Sequence, residues 1–274
     1  MRPPRHWNRT IGAVKLPEEE LRFVFWGHSE EGPEEALRQA EELLRHAHRH
    51  FEHPASVAWE YGYQRSPLRE LLVEELFDDG VLAAFTTRTR YGALALNTDR
   101  VLFADVDLPP PGCLYIGRRA KWEARAVGRV RDRLASRPET RSLGRRLYRT
   151  PNGIRIAFTT PAPAPHLPEG QALLAACGAD KLYMRLCLRQ QCSRARLTAK
   201  PWRCGLKEPP LAFPLSEEEW RRYRDWLAAY DTAAAKHAAC RFLEASGPPA
   251  EGVLGEIIRY HDEACGAFEP RPLA

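Results

Sequence analysis

The sequence predicts an α+β protein with a ferredoxin-like β-α-β-β-α-β core between helical N- and C-terminal extensions. Three observations carry this. Residues 100–190 alternate strand-like and helix-like patterning in that order. Asn152-Gly153, the strongest kind of short hairpin signal, joins two of the strands. Amphipathic helical runs occupy much of both ends. Residues 1–80 read as a mostly helical extension, 81–207 as the core and 208–274 as a second helical extension.

Taken in order, Glu34–Phe51 carries Leu37, Ala40, Leu43, Leu44 and Ala47 at helical spacing, and Pro54 closes the run. Ser66-Pro67 fits an N-cap and first-turn pair opening a helix through Leu71, Leu72, Leu76 and Phe77, ended by Gly80. Val81–Thr87 and Tyr91–Leu96 have strand composition. Val101–Ala104 is a buried strand running into Asp105-Val106-Asp107, and the prolines from Pro109 to Pro111 forbid its continuation. Arg118–Leu134 is a helix with Trp122, Ala126, Val130 and Leu134 on one stripe and Lys121, Arg125, Arg129 and Arg133 on the next. Leu147–Thr150 and Ile154–Thr159 form the hairpin strands, Gln171–Cys177 a brief helix and Leu182–Leu188 a fourth strand. Ser216 and Glu219 make a capping box before Trp220, Tyr223, Trp226, Leu227 and Tyr230, and a last short helix runs through Leu254, Ile257 and Ile258.

Composition narrows the class. With 44% hydrophobic and 28% charged residues the chain is globular rather than disordered. No apolar run reaches the roughly 18 residues of a membrane span. Arg2, Pro3, Pro4 and Arg5 lead into no apolar segment, so no secretory signal is expected. An odd count of 7 cysteines suits reduced thiols and a cytoplasmic location. The net charge of +5 hides an uneven distribution. Residues 117–155 carry +10 and residues 181–207 carry +8, so the remainder is −13. Two basic stretches flanked by acidic ends are a footprint of polyanion binding, although solvated arginine faces look the same in sequence.

The chemistry-bearing motif is Asp105-Val106-Asp107. Residues i and i+2 on a strand share a face, so both carboxylates address one site. Oxygen donors on a rigid strand, completed by phosphate oxygens, suit Mg²⁺ or Mn²⁺. The hairpin brings Arg149 and Arg155 towards the pair, and Asp180 is a candidate third carboxylate or a helix-to-strand turn residue. Arg185, Arg189, Arg194, Arg196 and Lys200 follow, with Arg118, Arg125 and Arg129 on the earlier basic segment. Trp202 lies between Lys200 and Arg203, as a base-stacking side chain or a loop anchor.

These motifs resemble the archaeo-eukaryotic primase, or primase-polymerase, superfamily. Leu102-Phe103-Ala104-Asp105-Val106-Asp107 is similar to its first motif. Tyr148 to Arg155 resembles the second, and Leu174 to Asp180 with Arg185 and Arg189 the third. The resemblance spans residues 81–207 and implies an RRM-like core and metal-dependent nucleotidyl transfer. It implies nucleoside triphosphates and single-stranded or primed nucleic acid as partners, with Mg²⁺ or Mn²⁺ on Asp105, Asp107 and Asp180. Arg149, Arg155, Arg185 and Arg189 would meet phosphates. Arg118, Arg125, Arg129, Arg194, Arg196, Lys200 and Trp202 would meet nucleic acid. The family has His where Arg155 stands, and arginine cannot exchange protons at neutral pH, which points to a divergent or non-polymerising member. A non-catalytic RRM-like nucleic-acid binder and another D-x-D enzyme (a nuclease or sugar-nucleotide transferase) are the alternatives. Cys177, Cys187, Cys192 and Cys204 lack a C-x-x-C knuckle, so buried thiols are expected of them before zinc.

Overall fold

A computed structural model describes residues 2–15, 20–52, 68–109, 119–211 and 213–274. The chain divides into two compact units, Met1–Leu72 with Leu211–Tyr223, and Val73–Pro210 with Arg224–Ala274.

The first unit is a correction to the helical reading of residues 1–80. It opens with two long strands, β1 (His6–Lys15) and β2 (Glu20–Ser29), paired antiparallel from His6 opposite Ser29 to Lys15 opposite Glu20. The predicted helix follows as α1 (Pro33–Glu52). Its buried Ala36, Ala40 and Ala47 form the stripe that faces the hairpin. The approach is close at Gly27, where a Cβ would overlap the Ala36 carbonyl oxygen. The Ser216–Glu219 capping box forms: the Ser216 N–H donates to Glu219 Oε2 at 2.7 Å and the Glu219 N–H to Ser216 Oγ at 3.3 Å, opening α6 (Glu217–Ala234).

The second unit holds two four-stranded sheets. One has the order β3-β4-β5-β9: β3 (Leu71–Asp78), β4 (Val81–Arg88), β5 (Leu94–Thr98) and β9 (Ser193–Arg196). The helix expected over 67–77 is thus strand β3 where it is described, and residues 53–67, which include Ser66 and Pro67, lie outside the described residues. The cause is Asp79-Gly80. Both have positive φ (48° and 78°), as a two-residue hairpin turn requires, so Gly80 turns a strand rather than ending a helix.

The other sheet has the order β10-β7-β8-β6: β6 (Phe103–Asp107), β7 (Arg145–Arg149), β8 (Gly153–Phe158) and β10 (Arg241–Ser246). Between its strands lie α2 (Arg119–Ser136), the single turn α3 (Pro138–Arg141), α4 (Pro168–Cys177) and α5 (Lys181–Gln190). The C-terminal helix is α7 (Gly252–Cys265). The expected hairpin closes at Pro151-Asn152-Gly153, where the Thr150 N–H donates to the Gly153 carbonyl at 2.9 Å. Gly153 is required there because a Cβ would overlap the Val106 carbonyl oxygen of β6.

Two further features depart from the sequence reading. Leu182–Leu188, expected as the fourth core strand, lies in α5. Asp180 caps that helix by accepting the Tyr183 N–H at 2.8 Å, and Leu182, Leu186 and Leu188 are exposed on it. The strand that follows, β9, pairs with β5 of the other sheet and reaches β6 through the Phe103 N–H to Ser193 Oγ bond of 3.2 Å. The C-terminal extension is also not wholly helical, since β10 extends the sheet beyond β7.

Strand alternation sets the two faces. Leu102, Ala104, Val106, Ile154, Ile156 and Phe158 pack with Val127, Val130 and Leu134 of α2 and Leu173 and Leu174 of α4. Phe103 and Ala157 point the other way, into the cluster with Leu96, Leu197, Ile257 and Ile258. Asp105, Asp107 and Arg155 share the parity of Phe103 and Ala157, so the carboxylates open on the α7 side of the sheet. Among the described residues no helix is long and apolar enough to cross a membrane.

Leu134 is 0% and Leu182 57% exposed. Leu134→Ala should lower urea-unfolding stability by about 2–5 kcal/mol. Leu182→Ala should stay within about 0.5 kcal/mol, as befits a helix rather than a core strand.

Candidate functional site

The site grows from one cross-strand pair. Asp105 of β6 stands opposite Arg155 of β8, and their side chains form a two-pronged ion pair, Nε to Oδ1 at 2.8 Å and Nη2 to Oδ2 at 3.2 Å. Arg155 is 1% exposed. Burial opposes its charge, but the Asp105 carboxylate more than offsets that and holds the guanidinium above its ordinary pKa. Its Nη1 donates to the Arg196 carbonyl at 2.9 Å and to His261 Nε2 at 3.2 Å. A guanidinium only donates, so Nε2 accepts and the ring proton sits on Nδ1, where it meets Asp262 Oδ1 at 2.9 Å. Asp262 Oδ2 in turn accepts from Arg146 Nη1 at 2.5 Å.

In front of this chain the other carboxylates gather. The Asp180 N–H donates to the Asp105 carbonyl at 3.0 Å, and the Tyr183 hydroxyl donates to the Phe103 carbonyl at 2.9 Å, tying the start of α5 to β6. Asp107 is exposed at the strand end. Its carboxyl pKa is raised by burial first, then by the negative charges of Asp180 and Asp105, with Lys200 opposing.

Beyond β9 the charge is positive. Burial, then the neighbouring guanidinium of Arg155, pushes Arg196 down to about 10, and Arg203 is lowered by burial. Lys200 is lowered by burial and by the charges of Arg196 and Arg203. Arg196 Nε and Arg203 Nη1 are buried and meet no hydrogen-bond partner among the described residues. Crowded cations with unmet buried donors carry a desolvation cost. Over them stand Tyr91 and Trp202, 38% and 46% exposed, edge to face at 5.3 Å. Lys200 Nζ lies 5.1 Å from the Trp202 ring.

The remaining sequence-selected residues fall elsewhere. Arg155, expected at phosphates, is walled into the interior by its pair. Arg149 is also buried: Nε bonds Glu123 Oε1 at 2.8 Å, and Nη1 clamps the hairpin at the Gly153 carbonyl (3.0 Å) and the Thr150 carbonyl. Arg185 and Arg189 lie on the exposed face of α5, and Arg125 and Arg129 on that of α2. Arg194 is half-buried with its Nη1 3.2 Å from Gln190 Oε1. Arg118 lies outside the described residues.

Cys177, Cys187 and Cys192 are buried thiols and Cys204 is half-buried. Among the described residues, only Cys240, His261 and Cys265 form a trio with ligand atoms within 4.8 Å of one another, so the three aspartates are spaced more widely than that. This trio and Tyr91 carry no recognisable motif in the sequence. The trio's one local signal was His261 and Cys265, a single helical turn apart on α7.

The two neighbouring aspartates should behave oppositely. Asp105→Asn leaves the buried Arg155 cation uncompensated and should cost about 3–5 kcal/mol in chemical denaturation. Adding Arg155→Met to it should recover most of that loss. Asp107→Asn should instead stabilise the protein at neutral pH, by about 0.5 kcal/mol or less given solvent screening. The folded-state pKa of Asp107 lies above its unfolded value. Its ionised form therefore costs stability at neutral pH, and the gain from Asp107→Asn should fade as pH drops through the folded pKa to the unfolded one.

Compared with known proteins, the chain matches no family model, no curated protein and no solved structure.

Proposed function

We propose that the chain is a metal-dependent nucleotidyltransferase of the primase-polymerase kind, acting on nucleoside triphosphates and single-stranded or primed nucleic acid. The observation that carries this reading is Asp180 tied by its N–H to the Asp105 carbonyl at 3.0 Å, two residues from the exposed Asp107 on β6, with Arg196 and Arg203 holding unmet buried donors beyond β9. The order β6-α2-β7-β8-α4, with β6 beside β8, supports a ferredoxin-like core. The six described cysteines are all free thiols, which suits a cytoplasmic location.

The donor set fits Mg²⁺ or Mn²⁺. Asp107 and Asp180 are hard oxygen ligands already crowded by like charge, and such ions need only one or two carboxylates when phosphates fill the shell. Asp105 keeps lone pairs outside its bonds to Arg155. A divalent ion held there supplies the charge that acidifies an attacking hydroxyl and steadies a leaving phosphate oxygen. The chain's own residues do the rest. Lys200, Arg196 and Arg203 hold the phosphates, and Trp202 with Tyr91 offers a face for an unpaired base. Arg155 fixes the rotamer of Asp105, and α5 fixes the position of Asp180. Catalysis of this kind rests on positioning and electrostatics rather than on a protein base, so the absence of the family His need not abolish it.

One observation favours a second reading, a non-catalytic nucleic-acid binder: the pair with Arg155 already neutralises Asp105. A single assay separates the two. The protein is incubated with Mn²⁺ or Mg²⁺, labelled nucleoside triphosphates and single-stranded or primed DNA. Incorporation should fall on the order of 10²-fold or more in Asp107→Ala/Asp180→Ala, with DNA binding retained. Trp202→Ala should weaken single-strand binding by about 1–3 kcal/mol. Lys200→Ala should reduce the salt slope of binding by about 1. Incorporation undiminished in the double variant, or no nucleotide binding by the wild type, would sink the catalytic reading. Salt-sensitive DNA binding without chemistry would establish the second.

A further inference from the structure

Behind the carboxylates, Cys240, His261 and Cys265 converge from two distant segments, the residue before β10 and two successive turns of α7. We propose that these three side chains bind a structural Zn²⁺ ion, separate from any metal at Asp107 and Asp180. All three are buried, and their ligand atoms lie within 4.8 Å of one another. Two sulfurs and an imidazole nitrogen are the soft set that selects zinc over Mg²⁺ or Mn²⁺.

The surroundings agree with the chemistry. Asp262 holds His261 Nδ1 at 2.9 Å, the carboxylate-imidazole arrangement that fixes a metal-ligating ring and leaves Nε2 as the ligating nitrogen. Arg146 anchors that carboxylate in turn. Nε2 presently accepts the long 3.2 Å contact from Arg155. Arg155 can give it up, because the same Nη1 keeps its 2.9 Å bond to the Arg196 carbonyl. That carbonyl also receives the Cys265 thiol at 3.5 Å, which makes it an oxygen donor at hand for the fourth position.

Charge balances as well. Zn²⁺ enters and two thiol protons leave, so two thiolates cancel the ion and no net charge is added to the interior. The proton carriers are water and buffer, with no oxidation involved. Asp262, which holds His261, also lines a cavity of about 610 Å³ with Arg146 and Ile258, and none of the three ligands lines it. With all three ligands buried the site is closed to substrate, which marks it as structural. It would staple α7 to the start of β10 directly behind Arg155.

The test uses the full chain, expressed with zinc, dialysed and measured for metal by mass spectrometry. Stoichiometric zinc is expected in the wild type and in Cys204→Ser, and its loss in Cys240→Ser/Cys265→Ser. Asp262→Ala should retain zinc about 10–100-fold less tightly in a chelator competition. In case the double variant fails to fold, Co²⁺ is loaded into zinc-free wild type, where thiolate-to-metal absorption in the near ultraviolet is expected. Zinc retained by a folded Cys240→Ser/Cys265→Ser would show adventitious binding and overturn the proposal. So would a wild type that carries no zinc, gives no thiolate absorption with Co²⁺ and shows no rise in Tm on zinc addition.

Discussion

An arginine in the middle of a buried strand constrains everything around it. Apart from Asp105, the neighbours of Arg155 on its face of the sheet are apolar, among them Ala157 and Tyr148, and a guanidinium there is tolerable only if each of its nitrogens finds a partner. Asp105, the Arg196 carbonyl and His261 meet them. Each belongs to a different element (β6, β9 and α7), so one side chain ties together three parts of the fold. Such a pair adds little net stability over an apolar substitute, but it penalises every register in which the partners do not meet.

The same pair divides the labour among the carboxylates. Asp105 faces inward to a cation it cannot release, while Asp107, two residues on, faces outward with its charge opposed only by Lys200. The positive groups divide in the same way. Arg149 and Arg155 serve the sheet, whereas Arg196 and Arg203 keep buried nitrogens that meet no hydrogen-bond partner among the described residues, and Lys200 is opposed by Asp107.

Much of the fold was legible because its signals are local. The Asn152-Gly153 turn, the stripe of Trp122, Ala126, Val130 and Leu134, and the Ser216 capping box each specify a structure within a few residues. Two errors arose where local signals compete. Asp79-Gly80 serves equally as a helix stop and a hairpin turn, and Leu182–Leu188 has apolar residues at spacings that fit strand or helix until Asp180 is seen as its cap. The site was legible in part. Adjacent aspartates on a strand announce themselves, and Asp180 does reach Asp105 through its backbone. That Arg155 turns inward depends on β8 pairing with β6 in one register, and the trio of Cys240, His261 and Cys265 depends on how α7 docks. Neither is written in any short stretch of chain.

The alternation along β6 has a further consequence for how this sequence can vary. Deleting or inserting one residue between Phe103 and Asp105 would turn both carboxylates to the opposite face, into the layer under α2 and α4. Point substitutions there are graded in their effect, but a change of length is not. The length of β6 is therefore held more tightly than the identity of any apolar residue in it.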